Sequence, residues 1–162
     1  NQIIMFEQNI FYYKLNRYLP NFTWYGTKGC KKKYLKSPQW LRNIKNKKFL
    51  FWRLDTLLSD TKYMNKYYIN SGGWHFSNLK NAEDIEIKLK SYLHHRDYEV
   101  EELGLKKINE LIKNNQTVYD MFGDKISKKY GDDKRKKLEK YEFSNLPEYI
   151  KLNKDKLKEW ID

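Results

Sequence analysis

Short, continuous apolar runs dominate the first part of the chain. Residues 3–6 and 10–13 are two such runs, separated only by the polar triplet at residues 7–9. They predict one long core strand over residues 2–13 with a polar interruption in its middle. Such an interruption is typical of a binding site, or equally of a strand end or bulge whose polar groups are satisfied locally.

Helical patterns are concentrated in the second half. After Asn81, apolar residues recur at helical spacing, which predicts a helix with Asn81 as its N-cap. Glu83 and Asp84 complement the positive end of that helix dipole, so helix-start chemistry explains both acids. Further helices are predicted over residues 105–112 and within residues 147–161.

Weaker signals fill the intervening sequence. Ser37 followed by Pro38 predicts the start of a short helix. The remaining predictions are strands over residues 49–54 and 66–69, a basic loop over 24–33, and a Lys-rich mobile excursion over 123–140. Strands in the first half and helices in the second predict an α/β domain, whose sheet we expect to be completed by sequence outside this chain.

The segment over residues 70–77 carries the most distinctive chemistry. Gly72 and Gly73 permit close backbone approach to a ligand, while Trp74 offers a stacking surface and His75 a metal ligand or proton-transfer group. The alternative is a Gly-Gly turn whose Trp74 and Phe76 anchor the following helix in the core. Periodicity alone does not decide between a site and a turn.

Composition limits the classes of protein. The 162 residues, 40% of them hydrophobic, are enough for one folded domain with a core. A net charge of +12 suggests a polyanionic partner, but most of the 33 basic residues are lysines accompanied by many Asn, Tyr and Ile residues, a mix that AT-rich coding also produces. We therefore expect no specific nucleic-acid partner.

Cysteine content and hydropathy indicate the cellular compartment. The single cysteine, Cys30, excludes an intramolecular disulfide and a cysteine-based zinc site within this chain. No apolar run is long enough to span a bilayer, and no targeting segment is visible, so we expect a cytoplasmic protein. The chain begins with Asn1 inside an apparent strand, from which we expect the true N-terminus to lie upstream.

Short motifs in a fixed order resemble glycosyltransferase family 17, which includes the β-1,4-mannosyl-glycoprotein β-1,4-N-acetylglucosaminyltransferases and many bacterial and viral relatives. The resemblance covers nearly the whole chain, and its closing motifs are similar to the tail of the bacterial-type members. The motifs are FEQN at 6–9, YY at 12–13, WYGTK at 24–28, SPQ at 37–39, LR at 41–42, FWRLD at 51–55, GGWHFS at 72–77, LPEYI at 146–150 and KEWI at 158–161.

The resemblance implies a GT-A-type nucleotide-sugar glycosyltransferase fold, of which residues 1–162 are the C-terminal part of one catalytic domain. It implies inverting transfer of N-acetylglucosamine from a UDP-N-acetylglucosamine donor to the hydroxyl of a glycan or glycoconjugate acceptor. It also implies a divalent cation, Mn²⁺ by expectation, that bridges the donor phosphates, because the diphosphate leaves readily only when its developing charge is neutralised.

The chain departs from the family pattern at one point. Such enzymes carry an Asp-x-Asp motif after a strand, and no such triplet occurs among these residues. Either the motif and the remaining metal ligands lie upstream, or the chain is a shortened descendant that binds carbohydrate without transferring it. A basic nucleic-acid-binding module is a third reading, but it leaves the ordered motifs unexplained.

The resemblance assigns roles to eight residues. His75 is the metal-side candidate, while Trp74, Gly72 and Gly73 contact donor or acceptor. Glu7 and Asp55 are the candidates for the general base, and the choice between them is open. The two candidate diphosphate contacts, each with a surface or ion-pair alternative, are Lys28 and Arg42. His94 also falls where relatives carry histidine, although the adjacent His95 leaves the register ambiguous.

Overall fold

The computed structural model describes residues 2–50, 52, 58–91, 103–119 and 135–162. It contains helices and two mixed sheets, which confirms the α/β class. The chain divides into two compact units. The first comprises Asn1–Asn9 and Thr23–Trp74, and the second comprises Ile10–Phe22 and His75–Asp162.

Seven strands and four α-helices form the described parts of these units. They are, in chain order, β1 (Gln2–Phe6), β2 (Gln8–Tyr12), β3 (Arg17–Trp24), β4 (Lys28–Gly29), α1 (Pro38–Asn43), β5 (Asn65–Ile69), β6 (Trp74–Ser77), α2 (Ala82–Ser91), α3 (Gly104–Lys113), β7 (Glu139–Lys140) and α4 (Glu148–Leu152). Short 3₁₀ turns occur at Lys32–Tyr34, Phe143–Asn145 and Lys158–Trp160.

A three-stranded sheet in the order β4-β1-β5 organises the first unit. Strands β1 and β5 are parallel, and β4 is antiparallel to β1. Because side chains alternate along β1, Ile3 and Met5 point to one face, where they pack with Trp40 of α1 and with Ile44. Ser37 caps α1 as predicted, since its Oγ accepts a hydrogen bond from the backbone N of Trp40 at 3.0 Å.

A four-stranded sheet in the order β6-β2-β3-β7 organises the second unit. Ile10 and Tyr12 of β2 share a buried core with residues of α2 and α3. Phe11 faces the opposite way and packs with Phe76 and Tyr141, with ring centroids 5.1 Å apart in both pairs. The alternation of β2 therefore supplies two separate cores, which is why its residues 10–12 are all apolar.

Several predicted elements are confirmed. Residues 66–69 lie within β5, and α2, α3 and α4 occur where helices were predicted. Asn81 caps α2, since its Oδ1 accepts a hydrogen bond from the backbone N of Asp84 at 2.8 Å. Glu83 and Asp84 lie in the first turn of that helix.

Other predictions need correction. Strand β6, which was not predicted, lies between the Gly-Gly pair and α2, and the predicted loop over residues 24–33 contains β4. Residues 139–140, expected in a mobile excursion, form β7. Of the predicted strand over 49–54, residues 49, 50 and 52 are not in a strand, and residues 51, 53 and 54 lie outside the described residues. The end of the helix after residue 91 and residues 123–134 also lie outside them.

Candidate functional site

The polar interruption between β1 and β2 is a bend at which the main chain of Glu7 is held on both sides. The backbone N of Glu7 donates to the O of Ile69 at 3.0 Å, and its O accepts from the N of Gly72 at 2.7 Å. Glu7 thus follows the carboxyl end of β1, beside the carboxyl end of the parallel strand β5. Ligands of open α/β sheets commonly bind at this edge.

Both glycines of the Gly-Gly pair are required by the backbone around Glu7. A Cβ on Gly72 would lie 2.9 Å from the O of Ile69 and 2.9 Å from the Cβ of Phe6, closer than these atoms tolerate. Gly73 has a φ of +129°, a conformation that other residues rarely adopt. Its O accepts a hydrogen bond from the N of Asn9 at 3.3 Å. These contacts explain why both positions are glycine, and they do not exclude a ligand beside the pair.

The carboxylate of Glu7 is held by an aromatic network that the sequence did not reveal. Tyr25 Oη donates a hydrogen bond to Glu7 Oε1 at 2.8 Å. The Tyr25 ring meets the Tyr68 ring edge to face, with centroids 5.9 Å apart, and Tyr68 Oη donates to Asn46 Oδ1 at 2.8 Å. Burial, followed by the hydrogen bond and charge of Glu7, raises the pKa of Tyr25. Tyr25 therefore keeps its proton and acts as a donor to the carboxylate.

Lys28 and Arg42, the two predicted diphosphate contacts, lie together. Lys28 Nζ donates to the main-chain O of Arg42 at 2.9 Å, joining β4 to the C-terminal turn of α1. Burial lowers the pKa of Lys28, and the positive charges of Lys45, Arg42 and Lys66 lower it further. These four residues concentrate positive charge in the first unit.

The sheet register places Tyr68 on the same face as Lys28 and Lys66. Lys28 and Tyr68 both lie opposite Met5, on either side of β1, so their side chains leave the same face. Lys66 lies two residues before Tyr68 and shares that face. Lys28, Lys66 and Tyr68 therefore leave the sheet on the face where Ile3 and Met5 pack with Trp40 and Ile44.

Trp74 ends the first unit, and His75 begins the second. Trp74 is 39% exposed, and an exposed indole is suited to stacking on a sugar. His75 is half-buried, and burial, with a smaller effect from the charge of Lys88, lowers its pKa. Lys88 Nζ itself donates to Asn78 Oδ1 at 2.6 Å. At neutral pH the imidazole is therefore uncharged and has a nitrogen lone pair.

The described residues alone do not fit a complete Mn²⁺ site. Neutral His75 could be one ligand of a metal ion. The charge that acts on it, however, is the positive charge of Lys88 rather than that of a carboxylate. Within the described ranges, no three His, Cys, Asp or Glu side chains lie close enough together to hold a metal ion.

The structure brings the predicted residues together in two groups of the first unit: Glu7 lies beside Gly72 and Gly73, and Lys28 contacts Arg42. Asp55, the other candidate base, and His94 lie outside the described residues. Sequence reasoning missed Tyr25 and Tyr68 as neighbours of Glu7, and Lys45 and Lys66 as charges that act on Lys28. Alternation along β5 would have placed Lys66 and Tyr68 on one face, but only the pairing with β1 shows which face.

No helix in the described part of the chain is both long and apolar enough to cross a membrane. Comparison with models of known protein families, with curated proteins and with solved structures found no significant match. Membership of glycosyltransferase family 17 therefore stays a prediction that depends on the ordered sequence motifs.

Proposed function

We propose that this protein is a glycosyltransferase of the family 17 type, with a GT-A-type fold, that takes part in glycan biosynthesis in the cytoplasm. Its proposed donor is UDP-N-acetylglucosamine and its acceptor a hydroxyl of a glycan or glycoconjugate. The observation that carries the proposal is the Glu7 carboxylate, held by Tyr25 at the carboxyl end of two parallel strands, in the unit that also brings Lys28 to Arg42. A base and a counter-charge for a diphosphate are the two groups that the transfer needs.

In the proposed reaction, Glu7 accepts the proton of the acceptor hydroxyl as its oxygen attacks C1 of the donor sugar. The bond between C1 and the diphosphate oxygen breaks, and UDP departs with the electron pair. Attack from the face opposite the leaving group inverts the anomeric centre. Lys28 and Arg42 stabilise the negative charge that develops on the diphosphate.

The remaining proposed roles belong to the other predicted residues. Gly72 and Gly73 admit a sugar close to the backbone, and Trp74 stacks on it. His75 supplies one nitrogen ligand to Mn²⁺. When bound, the cation would neutralise donor phosphate charge. Asp55 is the alternative base.

Donor binding and transfer test this function. UDP-N-acetylglucosamine is titrated into the protein by calorimetry, with Mn²⁺ or with EDTA, and product is sought with a panel of glycan acceptors. Glu7→Gln should retain donor binding and lose transfer, because the amide preserves shape but accepts no proton. Asp55→Asn is the matched comparison: loss of transfer only in this variant would assign the base to Asp55.

A non-catalytic carbohydrate-binding protein is the second candidate, and the missing Asp-x-Asp triplet favours it. It predicts that glycan binds while UDP-N-acetylglucosamine is neither bound nor consumed. The same titration therefore separates the two candidates. Donor binding with transfer supports the enzyme, and glycan binding alone supports the second candidate.

A further inference from the structure

Two segments of the first unit, residues 46–50 and 62–68, lie side by side. Three side chains of the later segment donate hydrogen bonds to the earlier one. The pairs are Tyr68 Oη to Asn46 Oδ1 at 2.8 Å, Lys66 Nζ to the O of Lys47 at 3.2 Å and Tyr63 Oη to the O of Leu50 at 3.0 Å. Because the partners follow opposite orders along the chain, the two segments run in opposite directions.

This arrangement interleaves lysines with aromatic rings. The rings of Phe49 and Tyr63 have centroids 6.3 Å apart, and Lys62 Nζ lies 5.7 Å from the centroid of the Phe49 ring. Lys47 and Lys48, which precede Phe49, are both exposed. The resulting surface, called the basic aromatic patch below, consists of Lys47, Lys48, Phe49, Lys62, Tyr63, Lys66 and Tyr68.

Acidic residues are scarce in this part of the chain. Between residues 8 and 82 the only ones are Asp55 and Asp60, although this stretch contains nearly half of the 33 basic residues. Asp60 pairs with Lys36, and in the described part of the chain no carboxylate pairs with any lysine of the patch. A coding bias toward lysine acts along the whole chain, so it does not account for a local lack of acids.

The patch offers two kinds of contact to a ligand. Its lysines suit a series of negative charges, and its rings suit flat groups that stack. Tyr63 is 43% exposed and Tyr68 is 38% exposed, although the hydroxyl of each is hydrogen-bonded to the protein. These bonds hold both rings against the neighbouring segment, which suits stacking better than insertion into a lipid bilayer. A second copy of this chain, which carries the same positive charge, would be repelled.

We propose that the basic aromatic patch binds single-stranded nucleic acid without sequence preference. The lysines contact backbone phosphates, and the tyrosine rings stack with bases that are not already stacked in a duplex. The inference goes beyond the proposed glycosyl transfer, because it assigns a second ligand to residues that have no role in that reaction. It agrees with the expectation of no specific nucleic-acid partner, since phosphate contacts and stacking do not read sequence.

The experiment titrates the protein into a fluorescently labelled oligothymidine of about 16 nucleotides, the upper end of common site sizes. Fluorescence anisotropy is recorded over a series of salt concentrations. The double variant Lys47→Gln with Lys48→Gln should weaken binding and reduce the slope of log K against log salt by about 1.4, the share of two phosphate contacts to a single strand. Circular dichroism verifies that each variant is folded.

The aromatic contribution is tested separately. Tyr63→Leu should weaken binding about tenfold, because one stacked base is lost, and should leave the salt slope unchanged. Tyr63→Phe is its control, since it keeps the ring and should bind as the wild type does. If Tyr63→Leu is folded and binds equally well, the patch does not stack bases and the inference is wrong.

The double variant Lys106→Gln with Lys156→Gln is the charge-matched control, because both lysines are exposed and belong to the second unit. It should keep the wild-type salt slope. An equal change of slope in this control would show that only net charge matters and would overturn the inference. Unchanged binding by the Lys47→Gln and Lys48→Gln variant would overturn it too.

Two competitors distinguish other occupants. UDP-N-acetylglucosamine should not displace the oligothymidine, and displacement would mean that the strand occupies the proposed donor site instead of the patch. Vesicles containing anionic lipid test the remaining partner. If the vesicles bind through Lys47 and Lys48 while the oligothymidine does not bind, the patch is a membrane surface and the nucleic-acid assignment is rejected.

Discussion

Tyr25 and Glu7 form a neutral donor and charged acceptor pair across 18 residues of sequence, with 2.8 Å between Tyr25 Oη and Glu7 Oε1. The pair restricts the direction of the carboxylate that we propose as the catalytic base. It also explains why a charged residue can occupy a break between two largely apolar strands: its backbone pairs with Ile69 and Gly72, and its side chain has a hydrogen-bond donor.

The first prediction concerns the effect of Glu7 on the pKa of Tyr25. Replacing Glu7 with Gln should lower the pKa of Tyr25 toward 10.0, since the variant removes a negative charge that opposes formation of phenolate. Ultraviolet absorbance of phenolate, recorded as a difference from the same protein carrying Tyr25→Phe, isolates this one tyrosine. Tyr67→Phe is the control, because Tyr67 lies on the opposite face of β5. An unchanged Tyr25 titration would contradict the pair.

Close packing at Gly72 gives the second prediction. Gly72→Ala should lower the free energy of unfolding by roughly 1 to 3 kcal/mol, the usual cost of forcing an added methyl into a packed site. Gly29→Ala is the control, because its new Cβ would lie 4.0 Å from the nearest atoms of Ile4 and Phe6, an ordinary contact. Urea unfolding measures both. Equal stabilities would mean that the backbone around Glu7 relaxes freely.

The third prediction concerns the pKa of His75, which burial and the charge of Lys88 lower. Its pKa should be below 6.5 in the folded protein, and Lys88→Met should raise it by removing the weaker of the two causes. Because the unfolded chain then binds more protons between the folded pKa and 6.5, stability should fall as the pH drops through this window. NMR titration of the three histidines measures the shift. A His75 pKa above 6.5 would contradict the described environment.

Asn16 supplies the fourth prediction, which tests how the C-terminal residue is held in the second unit. Asn16 Nδ2 donates to the O of Asp162 at 2.9 Å, and Asn16 Oδ1 accepts from the N of Asp162 at 3.0 Å. Asn16→Ala should therefore cost about 1 to 3 kcal/mol, since both bonds are lost and Asn16 is buried.

Asn153→Ala is the corresponding control, because Asn153 makes one exposed hydrogen bond to the O of Tyr149. Its effect on urea unfolding should be smaller than that of Asn16→Ala. If both variants unfold at the same urea concentration as the wild type, the double hydrogen bond contributes nothing to stability.

Local signals were enough to predict the caps and several elements. Ser37 and Asn81 cap α1 and α2 because capping depends on residues within one turn of each other. Strand β6 escaped prediction because its four residues are too few to show a period, and its place in the sheet depends on pairing with β2. Local propensity carries no information about which distant strand will be the partner.

Some residues of the candidate site could be predicted from the sequence, and others could not. Glu7 and Lys28 attracted attention through their residue type and the motifs that contain them. Tyr25 lay inside one of those motifs, but its role depends on a contact with a residue 18 positions away. Lys66 resembles any exposed lysine until β5 pairs with β1 and brings its charge to Lys28. Charge clusters assembled by strand pairing are not visible in the order of the residues.

Saturation-transfer NMR with UDP-N-acetylglucosamine tests the central claim most directly. The account predicts that saturation reaches protons of both the uridine and the N-acetylglucosamine, and that unlabelled UDP competes. It also predicts a weaker signal for Lys28→Met than for Lys106→Met. If the protein is folded and saturation reaches neither the uridine nor the N-acetylglucosamine protons, the assignment of this chain as a UDP-sugar glycosyltransferase is contradicted.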